Sequence, residues 1–310
     1  MVTPNTSATL PLRDLLLALV VVSAWGFNFV VIQWGLHGLS PLLLGALRFL
    51  LVLIPAIFFI PRPTIAAKYW LIYGTVWGVG QFGFLFTAMD VGMPAGLASV
   101  VLQSQAFFTL LFASLFLREH WRWYQLAGLI VAALGLAVIG VSHGDVLRDK
   151  NAMSLLGFGL TLCAAAAWAL GNIVIRQTSK QGIAVNALHF IVWASIPPFI
   201  IFSLLSLCLD GTQGIAQALR QLSSQSIFAV LYLALISTIL AYSIWNNLLQ
   251  RHSANLVAPF SLLVPWFGLA SAAFFLGEKL QALQWLGALV LMLGLLLNVF
   301  GARLLTKEQS

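Results

Sequence analysis

Several side chains able to hydrogen-bond or carry charge stand inside stretches of this chain that are otherwise apolar. Asn28, Gln81 and Gln103 are isolated amides, Trp168 and Asn172 lie four residues apart, and Thr238, Tyr242 and Asn246 form a column at the same spacing. Residues four apart share one face of a helix. Amides, hydroxyls and indoles break no bonds unaided. They donate and accept hydrogen bonds, which a small polar solute needs on leaving water, and which two helices can also use to bond across hydrocarbon. Both uses stay open for each residue. Arg48 is the one formally charged side chain well inside an apolar stretch. Its guanidinium can hold a carboxylate through two parallel bonds, or it can serve structure by reaching outward or capping helix carbonyls. ALRF at 46–49 corresponds to ALHF at 187–190, so His189 stands where Arg48 stands in an earlier copy, with an imidazole that can switch charge near neutral pH. Pro259 and Pro265 interrupt a late apolar stretch, free backbone carbonyls there and mark a candidate gate.

Other chemistry lacks its residues. There is no GxxxxGK[ST] loop to cradle a nucleotide, no His/Cys/Glu set at metal spacing and no serine in a nucleophile elbow. An enzyme, a cofactor and a bound metal are therefore not expected. The net charge of +7 comes from basic residues set singly at helix ends, without the stripe and interleaved aromatics of a nucleic-acid surface. The acidic residues fall in tails, corners or helix ends, so a mid-membrane carboxylate relay is disfavoured; facilitated diffusion, or proton coupling through His189, fits better. Cys163 and Cys208 read as free core residues.

The elements that position these side chains follow from composition. The 310 residues are 61% hydrophobic and 7% charged, with a mean hydropathy of +1.00, against roughly 25% charged residues in soluble domains. Apolar runs long enough to cross a bilayer occur at 15–34, 42–60, 70–89, 95–117, 124–142, 155–175, 186–209, 226–248, 254–276 and 281–301. Short polar corners separate them, which makes an all-α, polytopic membrane protein. With the amino terminus inside, ten basic residues face the cytoplasm and four the outside, and Arg48 completes the fifteen. The positive-inside rule then puts both termini in the cytoplasm.

The chain is also doubled. EHWRWYQLAGLIVAALG from Glu119 to Gly135 returns as EKLQALQWLGALVLMLG from Glu278 to Gly294, a displacement of 159 residues (278 − 119). The glutamate, a glutamine and two glycines coincide without a gap, as duplication requires. Each copy holds five spans, an odd number, so the second enters the membrane from the opposite side and the copies form an inverted repeat. Such repeats place a site near the midplane between halves that can rock. The expected organisation is a tail at 1–14, a first repeat at 15–142, an outer linker at 143–154, a second repeat at 155–301 and a tail at 302–310.

The doubled helix pair, with its glutamate corner and following glutamine and glycines, resembles the EamA repeat of the drug/metabolite transporter superfamily. More narrowly, WGFNFVVIQWGL at 25–36, MPAGLASVVLQSQAFFTLL at 93–111 and APFSLLVP at 258–265 resemble the bacterial O-acetylserine/cysteine exporters of that family. The resemblance implies ten helices in the bacterial inner membrane around a central cavity lined by helices one, three, four, six, eight and nine. It implies outward passage of small amino-acid metabolites, with Asn28, Gln81, Gln103, Trp168, Asn172 and Tyr242 as lining. The alternatives are an exporter of other amino acids, threonine or aromatic ones, or of small organic cations; a sensor or scaffold would call for a soluble domain. The expected partners are a small solute and the lipid bilayer, with no nucleotide or nucleic acid; a monomer fits, and the oligomeric state stays open.

Overall fold

The computed structural model describes residues 10–144, 152–179 and 186–306. Arg148, Lys150, Lys180 and Lys307, which contribute to the orientation argument, lie outside the described residues, as do most of the 143–154 linker and the far ends of both tails. All ten expected spans are helical, because in lipid a helix satisfies every backbone group internally. They are α1 (Leu12–Leu36), α2 (Pro41–Phe59), α3 (Ala67–Asp90), α4 (Ala95–Leu117), α5 (Trp123–Val141), α6 (Leu155–Thr178), α7 (Ala187–Leu209), α8 (Ser224–Arg251), α9 (Ala258–Leu276) and α10 (Ala282–Gly301). A single helical turn, Ala254–Val257, leads into α9. Ten crossings, an even number, leave both chain ends on one side of the bundle, here named the termini face; the 143–154 linker marks the opposite, linker face.

One helix escaped the sequence reading. Gly211–Arg220, between α7 and α8, buries no residue fully, and only its Ile215 and Ala218 lean on the core. Its composition is too polar to register as a span. The cysteines need a correction: Cys163 and Cys208 are free but exposed on the flanks of the bundle, not in its core. Small apolar side chains are as content facing lipid as facing protein, so hydropathy alone did not distinguish the two.

Close glycine contacts establish that the repeat is inverted. In sequence register Gly128 matches Gly287 and Gly135 matches Gly294. In the fold Gly128 packs on Gly294 and Gly135 on Gly287, so α5 and α10 run antiparallel. A Cβ at Gly135 would lie 2.5 Å from Leu291 N, and one at Gly294 would lie 2.6 Å from Gly128 O. These glycines bring the two backbones into contact, which drives helix association where lipid removes the hydrophobic term. The remaining packing exchanges under the same two-fold: α1 lies on α9 as α6 lies on α4, and α3 lies on α6 as α8 lies on α1. Between the halves, α2 meets α7 where Phe49 stacks on Phe202 with ring centroids 6.1 Å apart.

The irregular turns repeat too. Wide π-helical turns occupy Gly74–Gln81 in α3 and Tyr232–Leu240 in α8, and tight 3-10 turns occupy Leu102–Ser104 in α4 and Ala258–Leu263 in α9. These four segments surround the centre of the molecule, and departures of this kind gather at functional sites.

Candidate functional site

A cavity of about 450 Å³ lies between the two halves. Asn28 of α1, Gln81 of α3, Gln103 of α4, Trp168 and Asn172 of α6, and Tyr242 and Asn246 of α8 all line it, with Ser261 of α9. The structure thus gathers seven of the eight residues proposed as lining from sequence. α2 joins the wall as a further helix, through Arg48.

Thr238 is the exception. It is fully buried and donates to the carbonyl of Leu233, five residues back, at 2.8 Å. The i, i+4 column assumed a regular α-helix. The wide turn over Tyr232–Leu240 breaks that register and brings Ser237 to the cavity instead.

Several amides line the cavity and bond across helices at once, so the two uses left open by sequence are compatible. Asn28 Oδ1 accepts from Ser237 Oγ at 2.8 Å. Asn172 Nδ2 donates to Gln105 Oε1 at 2.9 Å and Thr109 Oγ1 at 3.1 Å. Gln103 Nε2 donates to the carbonyl of Ser261 at 3.0 Å. That carbonyl lies four residues before Pro265, which has no N–H to give it. The carbonyl already accepts from Val264 N–H within the 3-10 turn, so Pro265 leaves its second lone pair to α4, and Pro259 lies within the same turn. Trp25, Tyr242 and Trp245 form an aromatic wall, with the Trp25 ring 5.1 Å from Tyr242 and 5.3 Å from Trp245.

Arg48 is set into the wall and does not reach outward: it is 1% exposed. Its Nη2 donates to Thr238 Oγ1 at 2.9 Å, and its guanidinium carbon lies 3.9 Å from the Phe82 ring centroid. Nε and Nη1 have no protein partner, nor has Gln81 Oε1. No carboxylate lines the cavity among the described residues. A buried cation with a hydroxyl, a ring face and two unused donors is poised for an anionic group, since buried polar groups are otherwise paired. His189 does not share that place. It sits in the first turn of α7, its backbone N–H capped by Asn186 Oδ1 at 3.2 Å, and it is not part of the cavity lining.

The cavity is not centred between the two faces. Toward the linker face α1, α4 and α9 close on one another: a Cβ at Gly26 would lie 2.4 Å from Phe267 Cβ, and one at Gly268 would lie 2.5 Å from Ser99 Cβ. Phe27, Trp34 and Phe275 interlock there, with centroids 5.1 to 5.8 Å apart. Toward the termini face the second half of α4 and the start of α9 have no comparable packing among the described residues. There the lining runs on to Asn172, one turn from Arg176, and to Leu249 and Ala258.

Two ionic features beside this pathway were not anticipated. Asp14, read as the edge of a tail, is buried in the first turn of α1, where its carboxylate meets His252 Nε2 at 2.6 Å and Arg251 Nη2 at 3.1 Å. This ties α1 to the end of α8, next to the lining residue Leu249. No local pattern pairs Asp14 with His252, 238 positions away, or with its neighbour Arg251. At the linker face the Glu278 carboxylate accepts from the N–H groups of Ala95 at 2.7 Å and Gly96 at 2.9 Å. Burial pushes the Glu278 carboxyl above the usual carboxylate range, and those two N–H groups draw it part of the way back.

The EamA-like transporter family matches the chain twice, over residues 12–141 and 155–300. The "Probable amino-acid metabolite efflux pump" of Escherichia coli (strain K12) is 45% identical over 291 residues, covering 94% of this chain and 96% of the relative. Its namesake in Salmonella typhimurium is 47% identical over the same shares. A solved crystal structure superposes with a TM-score of 0.62 over 94% of this chain and 98% of its own, at 15% identity, which speaks for the fold alone. With both halves matched and relatives at this identity over nearly full length, the chain belongs to the EamA-like transporter family.

Proposed function

We propose that the protein exports small amino-acid metabolites, such as cysteine and O-acetylserine, across the bacterial inner membrane by alternating access. The observation that carries this reading is Arg48, a buried cation with two unused N–H donors and no carboxylate among the described cavity residues. A zwitterionic solute supplies what the wall lacks. Its carboxylate draws Arg48 out of the wall, and its ammonium finds the unpartnered Gln81 Oε1 and neighbouring amide oxygens. A phosphate ester would call for several inward cations, and an organic cation would be repelled by Arg48. The relatives' names, amino-acid metabolite efflux pumps, favour the same solute class.

The termini face is cytoplasmic in this reading, on the balance of basic residues. The cavity is then open toward the cytoplasm and closed outside, the state that loads an exported solute. Residues 12–141 and 155–300 act as the two rocking halves about the in-plane two-fold. The remaining cavity amides orient the solute, and Pro259 and Pro265 let α9 bend as the cytoplasmic side closes. His189 lies apart from this path, so proton coupling through it is not part of the proposal.

Liposomes containing the protein and loaded with labelled cysteine, O-acetylserine, threonine or phenylalanine, with and without a pH gradient, test it. Cysteine and O-acetylserine should leave fastest. Equal rates for all four would remove the narrow substrate assignment, and selective efflux of an organic cation would overturn the role of Arg48.

A further inference from the structure

The two corners that the duplication copies have one shape and different partners. α4 and α9 both end on a left-handed residue, Arg118 at φ 54° and Gly277 at φ 67°. L side chains seldom adopt that region, yet Arg118 does. In each corner the following glutamate N–H donates to an alanine carbonyl six residues back, Glu119 to Ala113 and Glu278 to Ala272, both at 3.3 Å. Each next helix is capped alike: Gln125 Oε1 accepts from Arg122 N–H and Gln284 Oε1 from Gln281 N–H, both at 2.9 Å. The backbone therefore aims Glu119 and Glu278 in the same way.

What they reach differs. Glu278 takes the first two N–H groups of α4 through both carboxylate oxygens; such groups have no partner within their own helix and favour negative charge. Gly96 leaves room for the docked carboxylate, since a Cβ there would lie 3.2 Å from Oε2. Glu119 instead accepts from Arg176 Nη1 at 2.9 Å, an exposed pair with 44% and 41% of the side chains open. The positions that match 95 and 96 in the second copy are 254 and 255, which begin the turn leading into α9 on Glu119's own face. The chain turns there in a related way: Val257 N–H donates to Ser253 O at 3.4 Å as Ala98 N–H does to Pro94 O at 2.8 Å, with Leu256 N–H also on Ser253 O at 2.9 Å.

We propose that Glu278 and Glu119 are alternating latches. Glu278 docked on residues 95 and 96 holds the outer side shut, as here; in the opposite state it lets go, and Glu119 leaves Arg176 to dock on the backbone N–H groups of 254 and 255. The reading rests on alternating access, proposed above, but not on the identity of the solute. Packing agrees with it. Among the described residues, the first half of α4 packs closely on the second half of α9, the side whose latch is docked, and the other side has no comparable packing.

Spin-label distances in the full-length protein test this, with Cys163 and Cys208 replaced by serine. One label pair, at Asp90 and Gln281, spans the outer side; a second, at His120 and Ser253, spans the cytoplasmic side. Glu278→Ala should lengthen the outer distance and raise the outer-open share about tenfold, the worth of one net charge-assisted hydrogen bond. Glu119→Ala should do the reverse, depleting the population with a short cytoplasmic distance. Unchanged distributions in folded Glu278→Ala protein, or the same outward shift from both variants, would overturn the proposal. Should Glu278→Ala fail to fold, Glu278→Asp, too short to reach both N–H groups, should shift the pair the same way; no shift would overturn it. Normal latch behaviour without efflux of any tested metabolite would sink the substrate assignment and leave the latches standing.

Discussion

Arg48 and His189 occupy one position of the repeat, yet only one of them meets the cavity. α2 and α7 carry the matching segments ALRF and ALHF and face each other across the two-fold. Arg48 is sealed between Thr238 and the Phe82 ring with donors unspent, whereas His189 lies in the first turn of α7, away from the cavity. Duplication set the architecture, and divergence at equivalent positions set the chemistry. A perfectly symmetric transporter would present the same group from both halves. This one places Arg48 on one side only, so a solute bound as proposed would meet a cation at one end.

The sharpest way to break that contrast is to change both residues. Arg48→Met should lower export about ten- to a hundredfold, the loss of a charged hydrogen bond to the solute. His189→Ala should stay within about twofold, as expected of a side chain outside the interaction. Stability distinguishes function from structure here. A buried charge without a carboxylate partner burdens the fold, so Arg48→Met should melt no lower than the parent, whereas a structural arginine would lower the melting temperature. Equal transport losses at the two positions would end the contrast.

Where the halves have stayed alike, the effect should fall on stability. Gly287→Ala drives a Cβ to 2.6 Å from Ile139 Cγ1 and 2.8 Å from Gly135 O, costing about 1–3 kcal/mol by overpacking. A lowered melting temperature in detergent with an unchanged order of substrate preference is the expected outcome, and Gly128→Ala should match it. Where the halves have parted, a smaller change should fall on rate. Pro265 faces Ala106 in the repeat register. Pro265→Ala brings a further N–H to the Ser261 carbonyl, which already accepts from Val264 N–H, in competition with Gln103 Nε2. Loss of that neutral bond, worth about 1 kcal/mol, should change the efflux rate about fivefold, read by single-turnover efflux; Ala106→Gly should not.

Much of this was legible in sequence, for physical reasons. Ten uninterrupted apolar runs and a glutamate corner repeated at fixed displacement specify the ten helices and their inversion, because lipid leaves an isolated span little choice but a helix. Polar residues buried in hydrocarbon announce themselves by their cost, which is why Asn28, Gln81, Asn172 and Tyr242 could be picked out. Thr238 was misplaced because sequence spacing presumes 3.6 residues per turn, and the turn over Tyr232–Leu240 is wider. The Asp14–His252 pair joins residues 238 positions apart, and the docking of Glu278 on Ala95 and Gly96 joins residues 183 and 182 apart. Such contacts follow from how helices assemble, and no local pattern encodes them.

The smallest effect compares the two corners by pH. Burial raises the docked Glu278 carboxyl above its ordinary 4.5, outweighing the two N–H groups that lower it. Among the described residues, the pocket around it is lined by Gly96, Leu269, Ala273, Leu280 and Trp285, none of which ionises, and by Lys279. The docked form then holds a proton more readily than the released form, so proton binding favours docking. That gain is complete below the released value and is lost as pH rises through the docked one. Acidifying the outside should therefore shift the outer label pair toward the closed distance, read as a rise in the closed share of the distance distribution. Glu278→Gln, which cannot titrate and keeps only one of the two acceptor oxygens, should flatten the response, while Glu119→Gln should leave it in place. A response that survives in Glu278→Gln would assign the titration to another group and leave the two corners equivalent in this respect.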